Sequence, residues 1–303
     1  MKRILIAVLV IILAAGAGMG LANSASLSIT YNPMPFNLPS MVEKEQKLLE
    51  QQGLKVAYSS FQAGFAMTEA MAAKELDIAV VMGATSAITS KAGGRDIKIV
   101  AAYSQAPSAF ALVTRPDGIE LKDLKGAKIA VPVGTEAHYL LAKILKEQGL
   151  TFNDIEVINM MVPDGVAALQ AKQVDAAMAV EPVLSRLEGA GQIRVLRNGV
   201  GLISGLTVST IRGDLVGDER VEKFLTAQQH ALQFISENNE EALAIAQRDT
   251  GLPRAIIEKI APKYNFSMEI TEEVKASLEE TIEFLYAEGL IQRKISVEDL
   301  LLE

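Results

Sequence analysis

Small polar residues stand at two points where an apolar strand gives way to a helix. They are Gly83, Thr85 and Ser86 at the first point, and Gly134, Thr135 and His138 at the second. The first turn of a helix has unpaired N–H groups and the positive end of its dipole, and a glycine there lets a ligand approach the backbone. Both turns are therefore predicted to bind a small anion. An ordinary helix cap, with His138 only packing on its helix, is the alternative.

Two further residues are candidate ligand contacts. Glu181 follows another apolar strand, and Pro182 suits the first helical position, so Glu181 is predicted to be the N-cap at the mouth of a cleft. Its carboxylate would accept a hydrogen bond from a ligand amine, or would cap its own helix. Asn32 lies in a loop stiffened by Pro33 and Pro35, which either presents it to a ligand or forms a rigid turn.

An internal repeat organises the elements that carry these residues. The segment from Ala70 to Gly83 recurs from Ala168 to Glu181, and its Lys-x-x-Asp motif appears as Lys74 to Asp77 and as Lys172 to Asp175. In each copy a helical stretch ends at this motif and runs directly into a short apolar strand. The repeat predicts two α/β units that face a common cleft.

Strands and helices alternate through most of the chain with short loops, which predicts an α/β protein with parallel-rich sheets covered by helices. A single helix is expected from Ser40 to Gln52, and amphipathic helices follow Asp214. We expect the chain to cross between two lobes near Val113 to Lys125 and to return near Leu206 to Arg212. The predicted division is therefore 26–115 with 207–303 as one lobe and 116–206 as the other, with two crossing strands as a hinge.

The N-terminus has the features of a secretory signal peptide. Lys2 and Arg3 precede an uninterrupted apolar run from Ile4 to Ala15, and small residues follow. A leader over residues 1–25 is predicted, with cleavage after Ala22, Ser24 or Ala25, and the mature chain is expected in the periplasm. An uncleaved membrane anchor is the alternative.

Composition excludes several classes of function. The chain has no cysteine, which excludes disulfides, a thiolate nucleophile and a lipidated N-terminal Cys. The net charge is −8 and no Lys/Arg cluster occurs, which argues against nucleic acid as a partner. His138 and His230 lie far apart in sequence without acidic residues at ligand spacing, and no serine has a nucleophile motif. The sequence therefore predicts no metal site, no cofactor and no catalytic residue.

The order of several motifs resembles a known family, the periplasmic substrate-binding proteins of ABC importers. The similarity is greatest to the nitrate, taurine and aliphatic sulfonate group, which also includes pyrimidine-precursor binders, and it extends over Leu27 to Leu290. The motifs are the segment Glu69 to Gly83, Leu-Lys-Asp-Leu-Lys-Gly-Ala-Lys-Ile-Ala-Val from Leu121 to Val131, Gly134-Thr135 with His138, and Val-Asp-Ala-Ala-Met-Ala-Val-Glu-Pro from Val174 to Pro182.

The resemblance implies a two-lobed type II binding-protein fold and a monomeric receptor rather than an enzyme. Such a receptor would capture a sulfonate, taurine or nitrate between its lobes and deliver it to the permease and ATPase subunits of an importer. The resemblance favours Gly134 and Thr135 over His138 as contacts. Alternatives on the same fold are a pyrimidine synthase, a menaquinone-pathway dehydratase and a membrane-anchored sensory domain. The leader argues against both enzymes, and the missing cysteines argue against the synthase.

Overall fold

The computed structural model describes residues 25–302, so the predicted leader lies outside the described residues except for Ala25. The strands are β1 (Ala25–Thr30), β2 (Leu54–Ser59), β3 (Ile78–Gly83), β4 (Ile97–Gln105), β5 (Phe110–Thr114), β6 (Lys128–Val131), β7 (Glu156–Asn159), β8 (Ala176–Val180), β9 (Arg194–Asn198), β10 (Leu206–Arg212) and β11 (Asn265–Phe266). The helices are α1 (Leu38–Glu45), α2 (Leu48–Gln51), α3 (Gly64–Ala72), α4 (Ala84–Ala92), α5 (Glu136–Glu147), α6 (Val162–Gln170), α7 (Val183–Gly189), α8 (Glu219–Glu237), α9 (Asn239–Thr250), α10 (Arg254–Ile260), α11 (Glu272–Ala287) and α12 (Val297–Leu300).

The described residues form a mixed α/β fold with two sheets. The first sheet has the strand order β11-β4-β10-β3-β1-β2, and the second has the order β7-β6-β8-β5-β9. In the first, β1 pairs in parallel with β2 and β3, while β10 lies antiparallel between β3 and β4. In the second, β6 pairs in parallel with β7 and β8, while β5 lies antiparallel between β8 and β9. Each sheet therefore has one strand inserted antiparallel to its two neighbours, because that strand enters directly from the other sheet.

The chain passes between the sheets at two short segments. It leaves β4 at Gln105 and enters β5 at Phe110 through the 3₁₀ turn Pro107–Ala109, and it returns between Asn198 and Leu206. The first crossing therefore precedes the predicted position, and Phe110–Thr114 pairs in the second sheet rather than the first. The crossing segments are turns rather than strands, and they touch: the Ala106 N–H donates to the Ser204 carbonyl at 3.1 Å.

The repeated Lys-x-x-Asp motif has the same structural role in both sheets. Lys74 and Lys172 adopt left-handed backbone conformations, with φ of 60° and 62°, just after the ends of α3 and α6. The Asp77 carboxylate accepts the Ser28 N–H at 2.8 Å, and the Asp175 carboxylate accepts the Lys128 N–H at 2.8 Å. Each aspartate thus ties the start of one strand to its parallel neighbour. The Lys-x-x-Asp motif of the repeat therefore has a structural role.

Local residue types explain where several helices end. Gly149, with φ of +69°, follows α5 at the position where only glycine adopts this conformation without strain. The single helix predicted from Ser40 to Gln52 is broken into α1 and α2, because Lys47 takes a left-handed conformation with φ of 53°. No helix within residues 25–302 combines the length and apolarity that a membrane span requires.

The C-terminal helices connect the two sheets. α8 and α9 pack on α1, and α11 packs on α4, so most of this region covers the first sheet. Phe284 on α11 also packs against the core of the second sheet, where its ring centroid lies 4.7 Å from that of Tyr139. α10 contacts α7 on the second unit. The two units are therefore joined by these helices as well as by the crossing segments.

Candidate ligand-binding site

A cavity of about 260 Å³ lies between the two sheets. Its wall combines the carboxyl end of β3 and the start of α4 from the first unit with the starts of α5 and α6 from the second. The wall residues are Asn32, Phe36, Phe61, Gln62, Ala63, Gly64, Met67, Val81, Met82, Gly83, Ser86, Ala106, Phe110, Pro132, Thr135, Glu136, Ala137, Met161, Val162, Val180, Gly205, Leu206, Thr207 and Tyr264.

Four helices begin at this wall. Their N-cap residues are Ala63 for α3, Gly83 for α4, Thr135 for α5 and Met161 for α6, and no side chain caps any of the four. Among the other helices, α8, α11 and α12 have an N-cap side chain that accepts a backbone N–H, whereas the N-cap residues of α1, α2, α7, α9 and α10 make no such bond. An uncapped first turn has free N–H donors and the positive end of the helix dipole. The cavity therefore offers an anion several such ends at once.

The first turns of α3, α4 and α5 meet at one place. The Thr85 hydroxyl on α4 donates to the Glu136 carboxylate on α5 at 2.6 Å, which joins the two units. A Cβ placed on Gly64 at the start of α3 would lie 2.5 Å from the Ser86 Cβ on α4, so only glycine allows this approach. Polar groups and helix starts from both units thus converge beside Ser86.

Glu136 is a buried carboxyl in the cavity wall, with 6% of its surface exposed. Burial raises the pKa of Glu136 to about 7, and hydrogen bonds from Thr85 and the Gly205 backbone limit the rise. The Glu136 carboxyl therefore changes between its neutral and ionised forms near neutral pH. Within the described wall no Lys, Arg or His is present, so the helix starts supply the positive potential.

Four of the eight predicted contacts lie in the cavity wall: Asn32, Gly83, Ser86 and Thr135. The Thr135 hydroxyl donates to the Pro132 carbonyl at 2.7 Å, which leaves its oxygen as an acceptor. The Asn32 amide donates to the Phe61 carbonyl at 3.0 Å, and its oxygen accepts the Ser60 hydroxyl. Asn32 therefore holds the loop that carries Phe61 as well as facing the cavity, which matches the rigid-turn alternative.

The other four predicted contacts, Thr85, Gly134, His138 and Glu181, do not reach the wall. Thr85 is 1% exposed and is bonded to Glu136. Burial lowers the pKa of His138 to about 4, so the ring is neutral, and its Nδ1 accepts the Gly134 N–H at 3.4 Å. The ring stacks on Phe152 with a centroid distance of 4.6 Å. His138 therefore supports the turn that carries Thr135, which matches the packing alternative.

Glu181 has partners inside the protein. Its carboxylate accepts the Ser185 N–H at 3.0 Å and the Ser185 hydroxyl at 2.7 Å, and it pairs with Lys263 across the two units. The helix begins at Val183 with Pro182 as N-cap, one residue later than predicted. The amine that Glu181 meets is thus a lysine of the same chain, and capping is the alternative that the structure supports.

Several wall residues were absent from the predicted site. Glu136 directly follows the predicted Thr135, and Met161 ends the strand-to-helix junction before α6, so the junction argument already used for Gly134 would have found both. Tyr264 comes from the segment after α10 and reaches the cavity because the C-terminal helices fold back across the units. No local pattern marks such a residue.

Comparison with known proteins identifies a matching family model and several similar proteins. A family model described as NMT1/THI5 like matches residues 36–242, which is more than half of the chain. A putative aliphatic sulfonates-binding protein of Escherichia coli is 28% identical over 271 residues, which cover 85% of this chain and 83% of that protein. The taurine-binding periplasmic protein of Escherichia coli is 23% identical over 267 residues, 83% of each chain.

Solved structures share the fold. The periplasmic aliphatic sulphonate-binding protein of Escherichia coli matches with a TM-score of 0.80 at 24% identity, over 92% of each chain. The alkanesulfonate-binding protein of Xanthomonas axonopodis pv. citri, solved with bound MOPS, also matches with a TM-score of 0.80 at 24% identity, over 90% of this chain and 96% of that one. At this identity the match shows a common periplasmic binding protein fold.

Proposed function

We propose, because the chain belongs to the NMT1/THI5-like family, that it is an extracytoplasmic receptor for a small organic anion of the sulfonate type. The receptor would hold its ligand between two lobes and deliver it to the permease and ATPase subunits of an ABC importer. The relatives described above are named as binding proteins, two of them for sulfonates or taurine, which supports a receptor rather than an enzyme. A periplasmic location and a cleaved leader over residues 1–25 are part of this proposal.

One observation carries the proposal: four helices with no side-chain cap begin at a cavity whose wall comes from both sheets. A ligand that accepts hydrogen bonds from both units stabilises the arrangement in which they are close. We therefore propose two lobes, built on the first sheet with the C-terminal helices and on the second sheet, that close on the ligand. The contacts that we propose are Asn32, Gly83, Ser86 and Thr135, with Gly134 shaping the turn beside Thr135.

Ligand-induced stabilisation tests this proposal with the protein purified from the periplasm of an expressing host. A sulfonate at one hundred times its dissociation constant should stabilise the protein by about 2.7 kcal/mol. For a chain of this size the melting temperature should rise by about 5 °C or more. N-terminal sequencing of the same sample identifies the cleavage site. A panel of sulfonates, taurine and nitrate that leaves the melting temperature unchanged would contradict the receptor function.

A pair of charge variants tests the site itself. Ser86→Asp places a carboxylate at the start of α4, where it satisfies the helix N-terminus and repels an anion. We expect it to abolish the thermal shift while leaving the unliganded protein folded. Gln173→Glu adds the same charge on an exposed turn and should bind as the natural protein does. Equal binding by both variants would place the ligand elsewhere.

A further inference from the structure

The cavity wall is mostly apolar. Four aromatic rings line it, Phe36, Phe61, Phe110 and Tyr264, together with Met67, Met82, Met161, Val81, Val162, Val180 and Leu206. Phe36 and Phe61 come from the first unit and Phe110 from the second, so apolar surface approaches from both sides. Binding a ligand with apolar surface removes such a wall from contact with water, which is favourable.

Polar recognition is confined to a smaller part of the wall. Gly64, Ser86 and Glu136 lie where the first turns of α3, α4 and α5 meet, as their mutual contacts show. This position suits one acidic head group, held by backbone N–H groups and the Ser86 hydroxyl. The remaining wall has few polar side chains for a second charged group.

A cationic group on the ligand would find little in the described wall to pair with. Glu181, the carboxylate that the sequence suggested for an amine, is paired with Lys263 and bonded to Ser185. Glu136 already accepts the Thr85 hydroxyl, and burial raises its pKa to about 7, so only about half of it is ionised at pH 7. An ammonium placed among apolar side chains would lose its hydration without compensation. The wall therefore disfavours a zwitterion.

Cavity size argues against a small inorganic ion. A volume of about 260 Å³ lies just below the range of pockets that enclose organic ligands. An ion such as nitrate would leave the aromatic side chains in contact with water. A ring-sized apolar body would instead remove that surface from water, at about 25 cal/mol for each Å².

We infer that the ligand is a hydrophobic organic anion, with one acidic head and an apolar body about the size of an aromatic ring. This inference rests on the receptor function proposed above and narrows its substrate class. The head lies at the junction of α3, α4 and α5 beside Ser86. The body lies among Phe36, Phe61, Phe110 and Met161.

Calorimetric titration of the whole protein with matched ligands tests the inference. The probes are two ring-sized sulfonates, benzenesulfonate and cyclohexanesulfonate, with methanesulfonate, taurine, nitrate and the neutral benzenesulfonamide. Both ring-sized sulfonates should bind at least about thirtyfold more tightly than methanesulfonate, since burial of several carbons accounts for that factor. Binding of methanesulfonate, taurine or nitrate within about threefold of benzenesulfonate would overturn the inference and leave the receptor function standing.

The neutral probe, benzenesulfonamide, tests the apolar body of the ligand separately from the anion receptor function. If benzenesulfonamide binds as tightly as benzenesulfonate, the apolar body is supported and the anion receptor function fails. If none of the probes binds, both fail. Benzenesulfonate binding with no measurable benzenesulfonamide binding supports both.

Two aromatic variants and a matched control locate the body. Phe61→Ala should weaken benzenesulfonate binding about tenfold and methanesulfonate binding less than about threefold, because only the ring-sized body uses that side chain. Phe36→Ala gives the same test if circular dichroism shows that Phe61→Ala is unfolded. Phe65→Ala removes a ring that is 67% exposed and outside the wall, and should leave both affinities unchanged. Equal losses for the two ligands, or no loss, in the folded variants would contradict the placement.

Discussion

At the scale of single residues, Glu43 is a carboxyl on the buried face of α1, with 1% of its surface exposed. Its Oε2 accepts the Gln228 amide at 2.7 Å. Burial raises the pKa of Glu43 to about 8, and this hydrogen bond opposes the rise. The neutral form therefore predominates in the folded protein at pH 7, while the unfolded chain ionises this group near its ordinary value of 4.5.

This shift predicts how stability depends on pH. The folded-state pKa is raised, so the stabilisation present below pH 4.5 is lost as the pH rises toward about 8. Glu43→Gln keeps the shape and an amide partner for Gln228 without a charge. The natural protein should lose on the order of 3 kcal/mol of unfolding free energy between pH 5 and pH 8, and we expect Glu43→Gln to remove most of this loss. Urea unfolding from pH 5 to pH 8 measures both proteins. Parallel pH profiles for the variant and the natural protein would contradict this assignment.

Glu136 predicts a different pH dependence, that of ligand affinity. An ionised Glu136 would repel an anion held at the same helix starts, so binding favours the protonated form. With its pKa near 7, affinity for benzenesulfonate should rise about tenfold from pH 8 to pH 6. Glu136→Gln should make the affinity independent of pH in calorimetric titrations. Glu43→Gln, the same change outside the cavity wall, should retain the dependence; if the two variants behave alike, Glu136 is not the responsible group.

At the scale of elements, the turn that precedes β10 depends on a glycine. Gly205 has φ of +60°, and a Cβ there would lie 2.6 Å from the Ala106 carbonyl carbon in the other crossing segment. Gly201, in the same return segment, has φ of +76° with nothing within 4 Å. Both glycines have a positive φ, but only Gly205 lies so close to the other crossing segment that a Cβ would collide with it.

The pair of alanine variants measures that close approach. Gly201→Ala should cost about 1–2 kcal/mol of unfolding free energy, the strain of a left-handed non-glycine residue. Gly205→Ala should cost about 2 kcal/mol more, because the methyl group forces the two crossing segments apart. Equilibrium urea unfolding gives both values. Equal losses would mean that the crossing segments are free to separate without cost.

At the scale of the whole molecule, ion pairs join the second unit to the C-terminal region. The Glu181 side chain is fully buried and Lys263 is 20% exposed, whereas Lys259 and Glu188 pair at 3.0 Å with 45% and 40% exposure. Both pairs link the α7 region to the α10 region. Their different burial predicts different contributions to stability.

Removal of each lysine tests this difference. Lys263→Met should cost about 3 kcal/mol, because it leaves a buried carboxylate without its counter-ion. Lys259→Met, the matched change at the exposed pair, should cost less than about 1 kcal/mol. Adding Glu181→Gln to Lys263→Met should restore much of the loss, which a double-mutant cycle measures. Similar costs for the two lysines would show that the buried pair does not hold the units together.

Local sequence patterns determined the elements and the points where ligand chemistry is available. Alternating apolar runs and amphipathic stretches identified most strands and helices, and the junctions after β3 and before α5 pointed to Gly83, Ser86 and Thr135 in the cavity wall. These features depend on periodicity and turn chemistry within a few residues, which can be read without knowing how the chain folds back. The family resemblance was likewise carried by such local motifs and is confirmed.

Tertiary structure alone decided which of these groups face the cavity and which serve the protein. Glu181 meets Lys263, and Thr85 meets Glu136, through contacts between segments 82 and 51 positions apart. The aromatic wall likewise combines Phe36 and Phe61 with Tyr264 from the far end of the chain. A polar side chain becomes available to a ligand only when no nearer partner satisfies it. That condition depends on packing between distant segments, so the sequence could propose the contacts and only the folded chain could choose among them.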